Sequence, residues 1–514
     1  MNHRRALALA ATLSAAALAP SMALANWTAS GRFVYVDRAY DQTGFTGPEP
    51  SLNIRFADVE VLDSRNRVLA TGPTDAGGFF SIPVVDSSTR TVYVRVASRS
   101  TRTPGLFIDV RSSTKSNFYT VRGSDVVNHN PTVNVNFGTI TALKGQGGEV
   151  FNIFDQMVRG ADYIASLTGS RPTASLATVW KIDRGQGDST YSQNSRQIFL
   201  RDSGGYDDTV LLHEMGHFFI YQYSASDSPD TAHTFSNCTE DIRLAYEEGY
   251  ATYFGNSSLR YAGLAGSNIY MRSNGGPAGP GSLVRYADLE TDTQYLCQGA
   301  TSEMNVIMVL WDINDGPSTP DTTPGVDDAH DLLVLPDSEV WQVQRDYVRT
   351  ALNKSTEDFW DGWFVVNNGF LPAMQAIFGD RVIQYIEDGS EVNNTAATAT
   401  LITVGNPPLG ATFFYDQDGN GVGAADTDYY AFTATGGLTY TAQTVWLLSD
   451  GNTMLELLGT NGSTVLASNN NRATGDDSSL VVWTAPADGV YYLRITHAAD
   501  FGIYGNYWLW VTNP

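Results

Sequence analysis

Cysteine and charge are both scarce in this chain. Only Cys238 and Cys297 occur in 514 residues, too few for a disulfide-dense scaffold, and their spacing leaves no C-x-x-C pair for a thiolate metal site. Charged residues make up 17% of the chain, 31 basic against 55 acidic. The resulting net charge of -24 would repel a phosphate backbone, so no nucleic-acid partner is expected. Beyond the first 25 residues no apolar run reaches the roughly 20 residues that span a bilayer, so no membrane span is expected. Charge runs and low-complexity tracts are also missing, while 42% apolar residues supply ample core.

What is present begins with Arg4 and Arg5, an apolar Ala/Leu-rich run from Ala6 to Ala19, Pro20 and the small-x-small triplet Ala23-Leu24-Ala25. That is the pattern of a secretory signal peptide. Cleavage is expected after Ala25, releasing a secreted product, extracellular or periplasmic, that starts at Asn26 and is monomeric. In that oxidising setting two cysteines usually pair, so a Cys238–Cys297 disulfide is expected.

The length suits two to four domains, and the hydrophobic period changes twice. Residues 26–138 show short alternating runs such as Thr91-Val92-Tyr93-Val94-Arg95-Val96, separated by Gly, Pro and Asp clusters. Residues 139–390 turn to helical spacing, as in Phe151, Phe154, Val158, Ala161 and Ala165, with strand candidates at 176–182 and 197–201. Residues 391–514 return to short strands. The expected architecture is a central α+β domain flanked by two all-β sandwiches.

His213-Glu214-Met215-Gly216-His217 reads H-E-x-x-H within a helical stretch that follows a strand and a Gly-rich turn. Residues four apart on a helix lie one above the other, so both imidazoles can reach one ion with Glu214 beside it. Hydrolysis at zinc needs a third protein ligand and an open position for water. Two adjacent carboxylates, Glu247 and Glu248, lie 30 residues on. The Glu248 face also carries Leu244, Ala245, Ala251, Thr252 and Gly255, small or apolar residues suited to close packing, whereas the Glu247 face includes Glu240 and Arg243, which prefer water. Glu248 is therefore the expected ligand.

Three resemblances bear on this reading. H-E-x-x-H followed by Glu248-Gly249-Tyr250-Ala251 resembles the gluzincin metallopeptidases, in which the Glu before Gly binds zinc. That likeness implies a zincin-like catalytic domain with His213, His217 and Glu248 as ligands and Glu214 as general base. Where relatives often place a carboxylate four residues after that ligand, this chain has Thr252, so another acid should orient a ligand histidine. The doubled Glu is also reminiscent of bacterial collagenases. Asp426-Thr427-Asp428-Tyr429-Tyr430-Ala431-Phe432 and the strands after it resemble the bacterial pre-peptidase C-terminal domain. Thr74-Asp75-Ala76-Gly77-Gly78-Phe79-Phe80, with the strands before it, resembles the carboxypeptidase-regulatory, transthyretin-like sandwich. Together they imply a secreted zinc endopeptidase acting on protein or peptide substrates. The alternatives are a collagenase-like subfamily member and a non-catalytic adhesion protein built on a retired peptidase.

An oxyanion donor should also lie near the zinc, and Tyr250, Tyr253, His233, Tyr295 and His330 are the candidates. Asp416-Gln417-Asp418-Gly419-Asn420-Gly421 begins like a calcium loop, but Thr427 stands where an EF-hand needs Glu. Asp416, Asp418, Asn420, Asp426 and Asp428 form either a calcium site in the β-domain or an Asp/Gly surface turn.

Overall fold

A computed structural model describes residues 26–41, 44–47, 49–115, 117–181, 184–273, 284–290, 295–316, 333–367, 369–499 and 502–513. The expected signal peptide and His330 lie outside the described residues. No described helix is long and apolar enough to cross a membrane. The chain is multidomain, with seven α-helices and many β-sheets among the described residues.

In the N-terminal region, Trp27–Val36 pairs with Val135–Ala142, Phe79–Val84 and Ser51–Asn53. A second sheet is built on Arg90–Ala97, flanked by Asp58–Asp63 and Thr120–Arg122. Alternation sets the faces: Phe80, Ile82 and Val84 are buried while Phe79, Ser81 and Pro83 are exposed. The Thr-Asp turn before that strand closes on Asp75, whose Oδ1 accepts from the Gly77 and Phe79 N–H groups at 2.8 and 2.9 Å. Gly78 takes φ +75° there, and a Cβ would stand 2.4 Å from the Phe33 carbonyl oxygen, so only glycine fits.

The change of period at 138 does not divide the core. Ile108–Arg111 lies within the N-terminal stretch yet runs parallel to Leu176–Val179. Phe33, Val94, Val110, Phe151 and Phe218 accordingly belong to one continuous buried cluster. The physical reason is a lent strand: the chain leaves the second sheet after Arg90–Ala97, adds one strand to the central sheet and returns for Thr120–Arg122. That central sheet continues through Gln197–Phe199, parallel, to Thr190–Ser192, which is antiparallel and forms the edge.

Helices α1 (Gly148–Thr168), α2 (Asp208–Tyr223), α3 (Ile242–Tyr261) and α4 (Glu303–Asp312) make up the helical part, followed by α5 (Asp337–Asp346), α6 (Thr356–Asn367) and α7 (Leu371–Asp380). α2 is buried on every side from Asp208 to Ile220, as its nearly uniform hydrophobicity demands. It crosses α3 at Gly216, where a Cβ would lie 2.7 Å from both Cα and O of Ala251, and again at Gly255, where one would meet the His213 nitrogen at 3.0 Å. Small residues let the two backbones touch, which fixes the height of His213 and His217 over α3.

The C-terminal region has its own core of alternating residues such as Tyr491, Leu493 and Ile495, between a five-stranded and a four-stranded sheet. It is fastened to α6. Glu357 accepts from the Ile503 and Tyr504 N–H groups at 2.7 and 2.9 Å, and Trp360 donates to the Gly421 carbonyl at 2.7 Å.

Candidate metal centre

Three acceptor atoms converge between α2 and α3. His213 Nε2 and His217 Nε2 are 3.2 Å apart, and Glu248 Oε2 lies 3.2 and 3.3 Å from them. Ligands about 2.0 Å from a tetrahedral zinc are separated by about 3.3 Å, so this near-equilateral triangle has the dimensions of one face of such a site. Both imidazoles have their other nitrogen engaged: His213 Nδ1–H donates to Thr252 Oγ1 at 2.7 Å, and His217 Nδ1–H donates to Glu247 Oε1 at 3.0 Å. With each Nδ1 engaged in this way, both rings are held with Nε2 facing Glu248 Oε2. That oxygen is buried without a hydrogen-bond donor. A cation answers this arrangement, and the donor set of two imidazoles and one carboxylate suits zinc.

Glu247 does not face water as its sequence neighbours suggested. It is buried, its second oxygen accepts from Ser226 Oγ, and it is the acid that orients His217. The outward face of α3 is covered by the chain after α2, which brings Ser226 over it. Thr252 holds the other histidine. Neither role was assigned from the sequence, although the doubled Glu was the signal for one of them.

Glu214 lies in the cleft wall beside the triangle, where burial pushes its carboxyl up to about 7. The cleft comprises adjoining cavities of about 450 and 350 Å3, lined among others by Thr190, Tyr270, His213 and Glu214. Edge strand Thr190–Ser192 forms one rim.

Of the five donor candidates, His233 and Tyr295 line this cleft. His233 Nε2 is 3.6 Å from Glu248 Oε2, and its Nδ1 is 3.0 Å from Glu303 Oε2. Burial lowers its pKa, but Glu303 and the charge of Glu248 outweigh that and bring it up to about 9. Tyr250 and Tyr253 are not in the cleft. Tyr250 packs against Tyr246 and Tyr253, and the Tyr253 hydroxyl is engaged by Asn314 and Asp337. Glu303, the anchor of His233, was missed because it reads as the first residue of a core helix.

The disulfide between Cys238 and Cys297 is present. The calcium expectation changes. Asp416 spends both oxygens on the N–H groups of Gly419, Asn420 and Gly421, and Asn420 Oδ1 accepts from the Val422 N–H at 2.7 Å, so this loop closes as an Asp/Gly turn with Asp418 exposed. Asp426 and Asp428 instead meet residues before the domain: Asp388, Glu391 and Asp428 bring carboxylate oxygens within 4.8 Å of one another. Asn393 donates to Asp428 at 3.0 Å, and Glu391 Oε1, Asn393 Oδ1 and Asp426 Oδ2 are buried without partners. Burial, and then the charge of Asp426, push the Glu391 carboxyl up to about 8.

Comparison with known proteins adds the family of the last domain. Residues 426–497 match the bacterial pre-peptidase C-terminal domain, so the chain carries a domain of that family. An uncharacterized protein of Archaeoglobus fulgidus is 29% identical over 215 residues, 38% of this chain and 54% of that one. The chain thus spans about half the length of the curated relative it matches. Among solved structures, the pre-peptidase C-terminal domain of a Bacillus anthracis collagenase is 18% identical, covering 22% of this chain and 93% of that one at TM-score 0.18. Aeromonas hydrophila PliG, a periplasmic inhibitor of g-type lysozyme, is 15% identical over 22% of this chain and 96% of its own, at TM-score 0.16.

Proposed function

We propose that this chain is a secreted zinc-dependent endopeptidase of gluzincin type. The observation that carries the reading is the triangle of His213 Nε2, His217 Nε2 and Glu248 Oε2, all facing one point with Glu214 beside it. The domain matched at residues 426–497 is named for peptidase precursors, which supports the same reading. Against a retired peptidase stands the sequence, which keeps Glu214 and all three candidate ligands.

His213, His217 and Glu248 would hold zinc, which when bound acidifies a water and polarises a peptide carbonyl. Glu214 takes the proton of the attacking water and returns it to the leaving amine, a task suited to a carboxyl whose pKa lies near neutrality. His233, kept protonated by Glu303, donates a hydrogen bond to the developing oxyanion. Thr190–Ser192, paired on one side only among the described residues, offers backbone groups to an extended peptide. Calcium at Asp388, Glu391, Asn393, Asp426 and Asp428 would fasten the C-terminal domain to its linker, since hard oxygen donors suit that ion. Glu214→Gln should abolish hydrolysis of a casein digest while zinc stays bound. Turnover near that of the wild type would remove Glu214 from the mechanism.

A further inference from the structure

A second groove, of about 750 Å3, lies between the central domain and the C-terminal domain. One wall contains Cys238, Glu240, Leu296 and Cys297, and the other is formed by residues 445–451 with Arg472 and 475–478. The chain neighbours of the first wall face the catalytic cleft, which Phe235, Ser236 and Tyr295 line. Two short segments joined by the Cys238–Cys297 disulfide therefore serve both depressions as a common ridge. Glu240 ties the ridge together, its Oε1 accepting from the Thr234 N–H at 3.1 Å.

The second wall is shaped for contact rather than for packing. Its strand bulges between Val445 and Leu448, and Trp446 stands 65% exposed across from Leu296, 80% exposed. The Trp446 ring is braced edge-on by Trp508 at 6.1 Å. Trp446, Ser449 and Asp450 hold φ of 52°, 52° and 62°, a conformation that L-residues rarely adopt and that only surrounding structure can maintain. Ser449 is pinned to the opposite wall, its Oγ accepting from the Ala300 N–H at 3.1 Å. The groove is also acidic. Asp476 and Asp477 on the second wall outnumber Arg472, whose guanidinium is taken up by Gln443 and the Thr444 carbonyl, while burial pushes the Glu240 and Asp450 carboxyls up to about 7.

We infer that this groove is an exosite for an unfolded polypeptide substrate, binding a segment of apolar side chains flanked by Lys or Arg while the scissile bond lies in the adjoining cleft. Exposed aromatic and aliphatic side chains take the apolar groups, the carboxylates take the cations, and the shared ridge makes the two sites continuous for one chain. The inference rests on the peptidase reading, so binding and cleavage are tested separately.

Binding is measured on the full chain carrying Glu214→Gln, by fluorescence anisotropy of a labelled, unstructured 16-residue peptide of Lys, Phe, Gly and Ser. Trp446→Ala and Leu296→Ser, both at exposed positions, should each weaken binding about tenfold, and a peptide with Glu for Lys should bind at least tenfold more weakly. Unchanged affinity in both variants, or equal binding of the Glu peptide, overturns the exosite. In the active protein, kcat/KM is compared between a 30-residue substrate containing the Lys/Phe segment and an 8-residue one lacking it. The long-to-short ratio should fall about tenfold in Trp446→Ala, through KM. An unchanged ratio overturns the exosite but not the peptidase. Trp446-dependent binding in a wild-type protein that cleaves neither substrate overturns the peptidase reading instead.

Discussion

Replacing Glu247 with alanine should loosen the metal without removing a ligand. Glu247 Oε1 accepts the His217 Nδ1 proton at 3.0 Å, and its other oxygen is held by Ser226, so the carboxylate is itself fixed. Without it, a buried N–H loses its acceptor and the imidazole can turn its Nε2 away from the triangle. Loss of such an orienting partner costs 10- to 100-fold in metal affinity, about 1.4 to 2.8 kcal/mol. Glu248→Ala removes a ligand outright and should abolish stoichiometric zinc. Glu247→Gln keeps an acceptor but not the charge and should fall between wild type and alanine. Ser226→Ala should have a smaller effect of the same sign. Zinc titration against a chromophoric chelator, on variants whose circular dichroism matches the wild type, measures all four. Wild-type affinity in Glu247→Ala would refute the orienting role. Zinc retained by Glu248→Ala but lost from Glu247→Ala would exchange the two assignments.

Three further outcomes follow from the packing and the buried carboxylates. Gly216→Ala should lower Tm and zinc affinity together, by about 1–3 kcal/mol of stability, because the new Cβ meets the Ala251 backbone at 2.7 Å; a raised Tm, as helix propensity alone would give, would refute it. Burial pushes Glu357 up to about 8, and Asp358 and Asp361 up to about 7 and 6. Glu357 thus stays protonated in the folded protein after the unfolded chain has ionised near 4.3. Its contribution is full below that pH and is lost as pH rises towards 8, so Tm should fall less steeply from pH 5 to 8 in Glu357→Gln; equal slopes would contradict this. Millimolar calcium should raise the melting temperature of the C-terminal domain, and Asp428→Asn should remove the increment; a Tm indifferent to calcium in the wild type would dismiss the site.

Most of what the sequence reveals closes within one or two turns of chain. His213, Glu214 and His217 share a helix, and four-residue spacing alone sets two imidazoles side by side. Glu248 was selectable because Ala251, Thr252 and Gly255 mark the side on which two backbones can touch. Glu247 was misjudged on the same helix because charged neighbours indicate water only where nothing covers them. α3 is buried on all sides from Ile242 to Leu259 apart from Arg243, and its cover comes from a loop whose path no local pattern encodes. At the acidic turn the sequence left open a calcium site or an Asp/Gly surface turn: the Asp416 carboxylate is taken up by the turn's own N–H groups, while Asp428 converges with Asp388 and Glu391 across the start of the domain. The strand Ile108–Arg111 was not read from the sequence, and its partner Leu176–Val179 lies about 70 residues away, so the central sheet was not legible.

Which donor candidates reach the cleft shows how distant contacts decide what residue type cannot. Tyrosine is as good a donor as histidine in principle, and the sequence placed Tyr250 and Tyr253 within five residues of Glu248. A helix turns about 100° per residue, so nearness in sequence does not bring these rings to the cleft: Tyr250 packs against Tyr246 and Tyr253, and Asp337 of α5 engages the Tyr253 hydroxyl at 2.9 Å. His233 enters from an irregular segment with no periodicity to betray its direction. Its orientation follows from Glu303, 70 residues later, at 3.0 Å. That carboxylate also raises the pKa of the ring, whose Nε2 faces Glu248 Oε2 at 3.6 Å. The Cys238–Cys297 bridge lies between the two partners in sequence and binds their segments together. The disulfide thus bears on the cleft through the His233–Glu303 pair, although neither Cys238 nor Cys297 lines it.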